Sequence, residues 1–204
     1  MTTSCFAVEN VTFTYRGSSV PALDHVSFTI EEGAFVLLCG KTGSGKTTLL
    51  HMLKKEMTPH GILHGRRLYK GKEISGLDSR LSASQIGYIM QDPDSQLVCD
   101  SVSRELAYGL ENLGTPSDRI RRIVAETASL LGLSEIFHAR TDQLSGGQKQ
   151  LVALGAVLAM GAQVLLLDEP CSMLDPLAAA DFLAVLERLN REAGITVILT
   201  DHRL

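Results

Sequence analysis

Short apolar runs bounded by glycine or polar residues recur along the chain, at Ala34 to Cys39, Ile86 to Met90, Val164 to Leu167 and Ile195 to Thr200. Uninterrupted runs of this length predict parallel strands buried on both faces. Segments with helical periodicity separate them, which is the order of an α/β sheet. The N-terminal part reads differently. VTFTYR (Val11 to Arg16) and VSFTI (Val26 to Ile30) alternate apolar and polar positions, the pattern of half-exposed antiparallel strands. GILHGRRLYKGKEI (Gly61 to Ile74) adds glycine-flanked, strand-like pieces that could join them.

From about Asp100 to Leu144 the pattern predicts no strand, only helices around Val102 to Leu110 and Ile120 to Leu131, a helical insertion between core strands. Leu151 to Leu167 is apolar except for Gln163. It falls short of the roughly 20 residues of a membrane span. Gly161, Ala162 and Gln163 interrupt it, and Asp168 and Glu169 follow at once, so it predicts a buried helix, a turn and a buried strand. The last helix has Asp175 at its N-cap and Pro176 in its first turn. Phe182, Leu186 and Leu189 form one stripe, and Gly194 is the stop.

Composition changes this picture little. A chain of 204 residues, 45% hydrophobic, is large enough for one full core or two intimately joined subdomains. A formal charge of -4 argues against a surface built to neutralise nucleic-acid phosphates. Arg119, Arg121 and Arg122 form the one basic cluster, expected on a solvated helix face. Cys5, Cys39, Cys99 and Cys171 lie far apart with no CxxC pair, which disfavours a disulfide framework or zinc site and suggests reducing cytosol.

The chemistry concentrates where strands meet helices. FVLLCGKTGSGKTTLL places Gly40, Lys41, Thr42, Gly43, Ser44, Gly45, Lys46, Thr47 and Thr48 between a buried strand and a helix, matching the phosphate-binding P-loop pattern G-x-x-x-x-G-K-[ST]. Glycines let successive N–H groups face a phosphate, and the helix dipole adds favourable potential. Lys46 is expected on the β- and γ-phosphates and the Thr47 hydroxyl on Mg²⁺. VLLLDE ends a strand on Asp168 and Glu169, where α/β sites lie. Asp168 is assigned to orient Mg²⁺ and Glu169 to polarise an attacking water, a task worth about 10²- to 10⁴-fold in rate. Taken alone, this pair also reads as a solvated strand end. TVILTDH repeats the geometry with Asp201 and His202, and on its residues alone His202 reads as structural or catalytic. QLSGGQKQ opens a helix with Gly146 and Gly147, each costing roughly 1 kcal/mol relative to Ala. A bare helix start of this kind suits an anion.

With GKTGSGKT, LSGGQ and LLLDEP in order, the chain resembles the ATP-binding subunits of ABC transporters over essentially its full length. The resemblance implies an α/β P-loop NTPase with a mainly parallel core sheet, an N-terminal antiparallel β subdomain and an inserted helical subdomain. Residues 1–92 and 162–204 would form the nucleotide-binding core, and about 93–161 the helical signature part. It implies ATP and Mg²⁺ as ligands and a second ATPase subunit, identical or a sister chain, facing the first head to tail. Tyr15 matches the aromatic that stacks on adenine, a contact type worth about 1 to 3 kcal/mol. Without the family it reads equally as a strand-edge tyrosine. Gln91 matches the glutamine that senses Mg²⁺ and the membrane partner. Ser145, Gly146, Gly147 and Gln148 would contact the γ-phosphate of the partner's ATP. Asp175 matches the dimer-crossing aspartate besides its N-cap role, and His202 the switch histidine.

QDPDSQLV, AYGLENLG and EPCSMLDP look, more narrowly, like the ATPases of energy-coupling factor importers, which take up vitamins or transition-metal ions. That implies a transmembrane subunit gripped near Gln91 and a peripheral location on the cytoplasmic face of the cell membrane. Cys171 stands where threonine or alanine is commoner. Family members continue well past the switch histidine, so the sequence ending at Leu204 is expected to be truncated or half of a tandem protein. Three alternatives remain: another ABC transporter class; a DNA-maintenance ATPase, whose long coiled-coil insertion has no room here; and a non-hydrolysing nucleotide-binding regulatory module, which intact Glu169 and His202 disfavour.

Overall fold

The computed structural model describes residues 4–201. In chain order, strands β1 (Ser4–Tyr15), β2 (Leu23–Glu31) and β3 (Phe35–Cys39) lead to helix α1 (Lys46–Met52). Strands β4 (Gly61–Tyr69) and β5 (Lys72–Glu73), helix α2 (Ser79–Gln85) and strand β6 (Ile86–Ile89) follow. Helices α3 (Val102–Asn112), α4 (Ser117–Leu130) and α5 (Gly146–Ala159) then precede β7 (Val164–Leu167), α6 (Pro176–Ala193) and β8 (Thr196–Asp201).

The strands form two sheets, an antiparallel one ordered β2-β1-β4-β5 and a parallel one ordered β3-β8-β7-β6. The parallel sheet is the partition between two apolar clusters, and its side-chain alternation shows this directly. Val164 and Leu166 of β7, with Ile198 of β8, join Phe6, Phe13, Leu50 and Tyr69 beneath the antiparallel sheet. Leu165 and Leu167, with Val197 and Leu199, join Phe182, Leu186 and Leu189 of α6 and Leu106, Val124 and Val152 of the helical insertion. The helical part therefore shares one continuous core with the sheet rather than owning a separate one.

Three sequence expectations need correction. The run from Ala34 is not buried on both faces: Phe35 and Leu37 are 40% and 42% exposed, because β3 is the edge of the parallel sheet and bonds only β8. Strand β1 starts well before Val11. Its register breaks between Val8 and Val11, where Asn10 sits at φ 51°, and this bulge shifts the alternation by which a strand is recognised. Helix α2 was not expected at all. It buries only Ser82, so it has no apolar stripe, and it starts on Asp78, whose carboxylate accepts the Leu81 N–H.

Elsewhere the expectation and the structure agree. The stretch from Leu151 to Leu167 is the body of α5, a turn and β7, and no described helix is long and apolar enough to cross a membrane. The arginines of α4 are exposed. Helix α6 begins at Asp175, whose Oδ1 accepts the N–H groups of Leu177 and Ala178 at 3.0 Å each, and ends on Gly194 in the left-handed region. Replacing Asp175 by alanine is expected to lower the unfolding free energy by about 1 kcal/mol. A urea denaturation midpoint compared with the wild type measures this.

Candidate functional site

The loop between β3 and α1 is shaped by what lies behind it. Gly45 is the N-cap of α1 at φ 91°, and a Cβ there would fall 2.5 Å from the Ala22 carbonyl oxygen. Only glycine fits, so the loop lies flush against the segment entering β2. No side chain caps α1, which leaves its first N–H groups to the cleft. Lys46 Nζ donates to the carbonyl oxygens of Gly40 (2.7 Å) and Lys41 (3.3 Å), across the loop mouth. Within the loop the Ser44 N–H donates to the Lys41 carbonyl. A cleft of about 320 Å³ opens here, lined among others by Tyr15, Thr42, Gly43, Lys46, Thr47 and Glu169.

Asp168 is the point of convergence. Its Oδ1 accepts from the Thr47 hydroxyl (3.0 Å) and the Thr200 hydroxyl (2.9 Å), and its Oδ2 accepts from the Tyr88 hydroxyl (3.3 Å). Those donors come from α1, β8 and β6, so strand order alone assembles the set. Burial first, and the Asp168 charge second, push the Tyr88 phenol above its ordinary range, which keeps it a proton donor. The His51 ring lies 5.4 Å from the Tyr88 ring, and burial lowers its pKa while Asp168 opposes the shift.

Glu169 follows at φ 47°, a left-handed conformation costing of order 1–3 kcal/mol for a residue with a side chain. Its N–H donates to Thr200 Oγ1 at 2.9 Å, so one threonine fixes both carboxylate positions. The Thr47 hydroxyl and the Asp168 carboxylate form a partial set of hard oxygen donors. That fits Mg²⁺, which completes its shell with water and phosphate oxygens rather than an all-protein cage.

Of the remaining predicted residues, only Tyr15 and Thr48 reach the cleft among the described residues. Tyr15 borders the cleft at 40% exposure, and its hydroxyl is paired with the Thr48 hydroxyl at 2.9 Å. Gln91 is exposed just past β6, outside the lining of the cleft. The loop after it is tied down on three sides. Gln96 bonds Met90 N–H and the Tyr88 carbonyl, Lys149 of α5 pairs with Asp94, and Glu105 of α3 accepts the N–H groups of Val98 and Cys99.

Ser145, Gly146, Gly147 and Gln148 also stand outside the cleft lining. Ser145 and Gln148 form a capping box, Ser145 Oγ accepting the Gln148 N–H (3.3 Å) and Gln148 Oε1 accepting the Ser145 N–H (2.9 Å). Gly147 has a packing reason as well as any phosphate role: a Cβ there would come within 3.2 Å of the Ala178 Cβ on α6. His202 lies outside the described residues. Sequence reasoning missed Tyr88, Thr200 and the tie between Tyr15 and Thr48. The available signal was a hydroxyl side chain within each of the two apolar runs whose strands flank β7.

The sequence pattern that defines the ABC transporter family matches residues 23–172. The chain belongs to the ABC transporter family. Over 197 residues this ABC chain is 48% identical to a Bacillus cereus protein provisionally named an ABC transporter ATP-binding protein, covering 97% of the chain and 36% of that protein. A Streptomyces coelicolor protein of the same provisional name is 46% identical over 199 residues, covering 96% of the chain and 35% of its own length. The ABC chain thus spans little more than a third of these curated relatives.

Among solved structures, cbiO1 from Clostridium perfringens, part of the ABC transporter complex cbiONQ, superposes with a TM-score of 0.87 at 32% identity. That match covers 98% of the ABC chain and 78% of cbiO1. The ATP-binding cassette MJ0796, solved as a dimer bound to ADP and Pi, gives 0.81 at 26% identity, covering 97% and 88%. The architecture is that of a P-loop ABC ATPase.

Substituting Gly45→Ala forces the loop off the Ala22 carbonyl. A strain of about 1.4 kcal/mol passed to the bound state is a tenfold loss of affinity, so calorimetric titration of MgATP should show at least that weakening in a chain whose circular dichroism is unchanged.

Proposed function

We propose that the chain is the ATP-binding and hydrolysing part of a membrane importer of the energy-coupling factor type, for vitamin or transition-metal ion uptake. Support for the transporter type comes from the cbiO1 superposition and from the sequence around Gln91; the names of the curated relatives are generic. The DNA-maintenance rival loses ground, because α3, α4 and α5 are compact helices packed into the shared core, with no long coiled coil among the described residues.

One observation carries the mechanism. The cleft is built from the P-loop and Glu169, while the second glycine-bearing helix start, at Ser145, contributes nothing to its lining. A triphosphate seated on the P-loop is then open on one side, and the helix start of a second protomer, arranged head to tail, supplies the missing contacts. Lys46 exchanges the Gly40 and Lys41 carbonyls for phosphate oxygens. Tyr15 offers its ring to adenine. Thr47 and Asp168 hold Mg²⁺, which when bound offsets the charge of the β- and γ-phosphates. Glu169 takes the proton side of an attacking water, assisted by His202. Closure of the pair is the work stroke, and hydrolysis lets it reopen. Gln91 and the helical part grip the transmembrane subunit, which places the chain on the cytoplasmic face of the membrane.

Mixing two inactive forms tests the head-to-tail arrangement. One carries Lys46→Ala and the other Gly146→Asp. If the site is shared, a mixed dimer contains one intact cradle facing one intact helix start, and turnover returns on mixing. No recovery would place both motifs within one chain's site and end the proposal. Two single variants add to this. Lys46→Ala is expected to abolish MgATP binding by titration calorimetry. Glu169→Gln is expected to keep binding but lower turnover by about 10²-fold or more, and to accumulate the closed dimer in size-exclusion chromatography with MgATP.

A further inference from the structure

We propose that Tyr88 is a positioning residue for the metal side of the site: its hydroxyl, together with that of Thr200, fixes the rotation of the Asp168 carboxylate, and Asp168 in turn aims Thr47. This rests on the reading of Thr47 and Asp168 as the Mg²⁺ side of the cleft. The argument starts from the carboxylate itself. The last torsion of an aspartate is broad and roughly two-fold, so packing alone fixes it poorly. Here Oδ1 is held by two hydroxyls and Oδ2 by one, that of Tyr88.

Thr47 is the outlet of this arrangement. Its hydrogen is directed to Asp168 Oδ1 at 3.0 Å, which leaves the lone pairs of its oxygen for a cation. If the carboxylate turns, Thr47 loses its acceptor and its oxygen loses its aim. Partners one step behind a metal ligand act in this way, orienting the ligand and raising its basicity. The Tyr88 ring is independently fixed. It is buried in the cluster beneath the antiparallel sheet, lies against the His51 ring, and belongs to a strand paired in register with β7, opposite Leu166. A phenylalanine would fill the same space, so removing the hydroxyl isolates its role from packing.

The test uses the intact protein and measures ATP affinity by titration calorimetry in EDTA and across a Mg²⁺ series. In Tyr88→Phe the affinity without metal is expected to equal the wild type's, while the Mg²⁺ concentration giving half of the affinity gain rises about tenfold. Thr200→Val should move the midpoint in the same direction, and serves if Tyr88→Phe lowers the yield of folded protein. An unchanged midpoint in both variants, with a normal Mg²⁺ gain in the wild type, overturns the inference alone. A wild type with no Mg²⁺ gain overturns the metal-side reading beneath it. Equal losses with and without Mg²⁺ would make Tyr88 a residue of the cleft wall and also overturn the inference.

Discussion

The hydrogen bond from Thr47 to Asp168 joins residues 121 positions apart, and the rest of the site is arranged around it. It exists because β3, β8, β7 and β6 all run the same way. A parallel sheet delivers every strand's C-terminal end to one edge, and each of those ends here carries a group that Asp168 or the cradle uses. Strand β3 releases the P-loop, β6 brings Tyr88, β7 brings Asp168 and Glu169, and β8 brings Thr200. Polar groups gather at that edge because the strands behind them are apolar on both faces. The free energy that orders the sheet is hydrophobic burial, at about 25 cal/mol per Å². Burial brings the strand ends together, and the polar contacts at Asp168 then set the orientation of the side chains that meet there.

The same sheet divides the molecule into two responsive halves. Beneath it, α1 and the antiparallel sheet share one cluster, in which Leu50 and Met52 of the helix behind the cradle pack together with Tyr88. Above it, α3, α4, α5 and α6 share the other. The loop after Gln91 is the chain's passage from one side to the other, and its bonds run both ways. Gln96 holds it to β6, while Lys149 and Glu105 hold it to α5 and α3. The end of β6 is thus joined to the helix that begins at Ser145 by polar contacts as well as through Ile89, which belongs to the cluster those helices share.

How far the sequence shows this depends on whether a feature is local. The P-loop, the cap and stop of α6, and the buried strands β6, β7 and β8 were legible because each is set by neighbours in the chain. The first part of β1 was hidden because the bulge at Asn10 breaks the period of two. Helix α2 was hidden because its seven residues bury no apolar side chain. The exposure of β3 was illegible since edge and centre differ by what lies beside a strand, not by what is in it. Tyr88 and Thr200 fall in the same class. Each looked like a strand residue, and each became a ligand-orienting group only when three strand ends met at one carboxylate.

The two glycine-bearing helix starts solve one electrostatic problem in different ways. Helix α1 begins on Gly45 without any side-chain cap, so its exposed N–H groups and the positive end of its dipole are unopposed until an anion arrives. Helix α5 is already capped: Ser145 and Gln148 satisfy one another, worth about 1 kcal/mol by the usual cost of losing such a cap. An anion reaching α5 must displace or share that box, whereas one reaching α1 meets no competitor. The first start is thereby suited to holding a phosphate through the cycle and the second to a contact that forms late and breaks easily. That asymmetry suits the proposed site shared between two protomers, in which one face holds the nucleotide and the other is released.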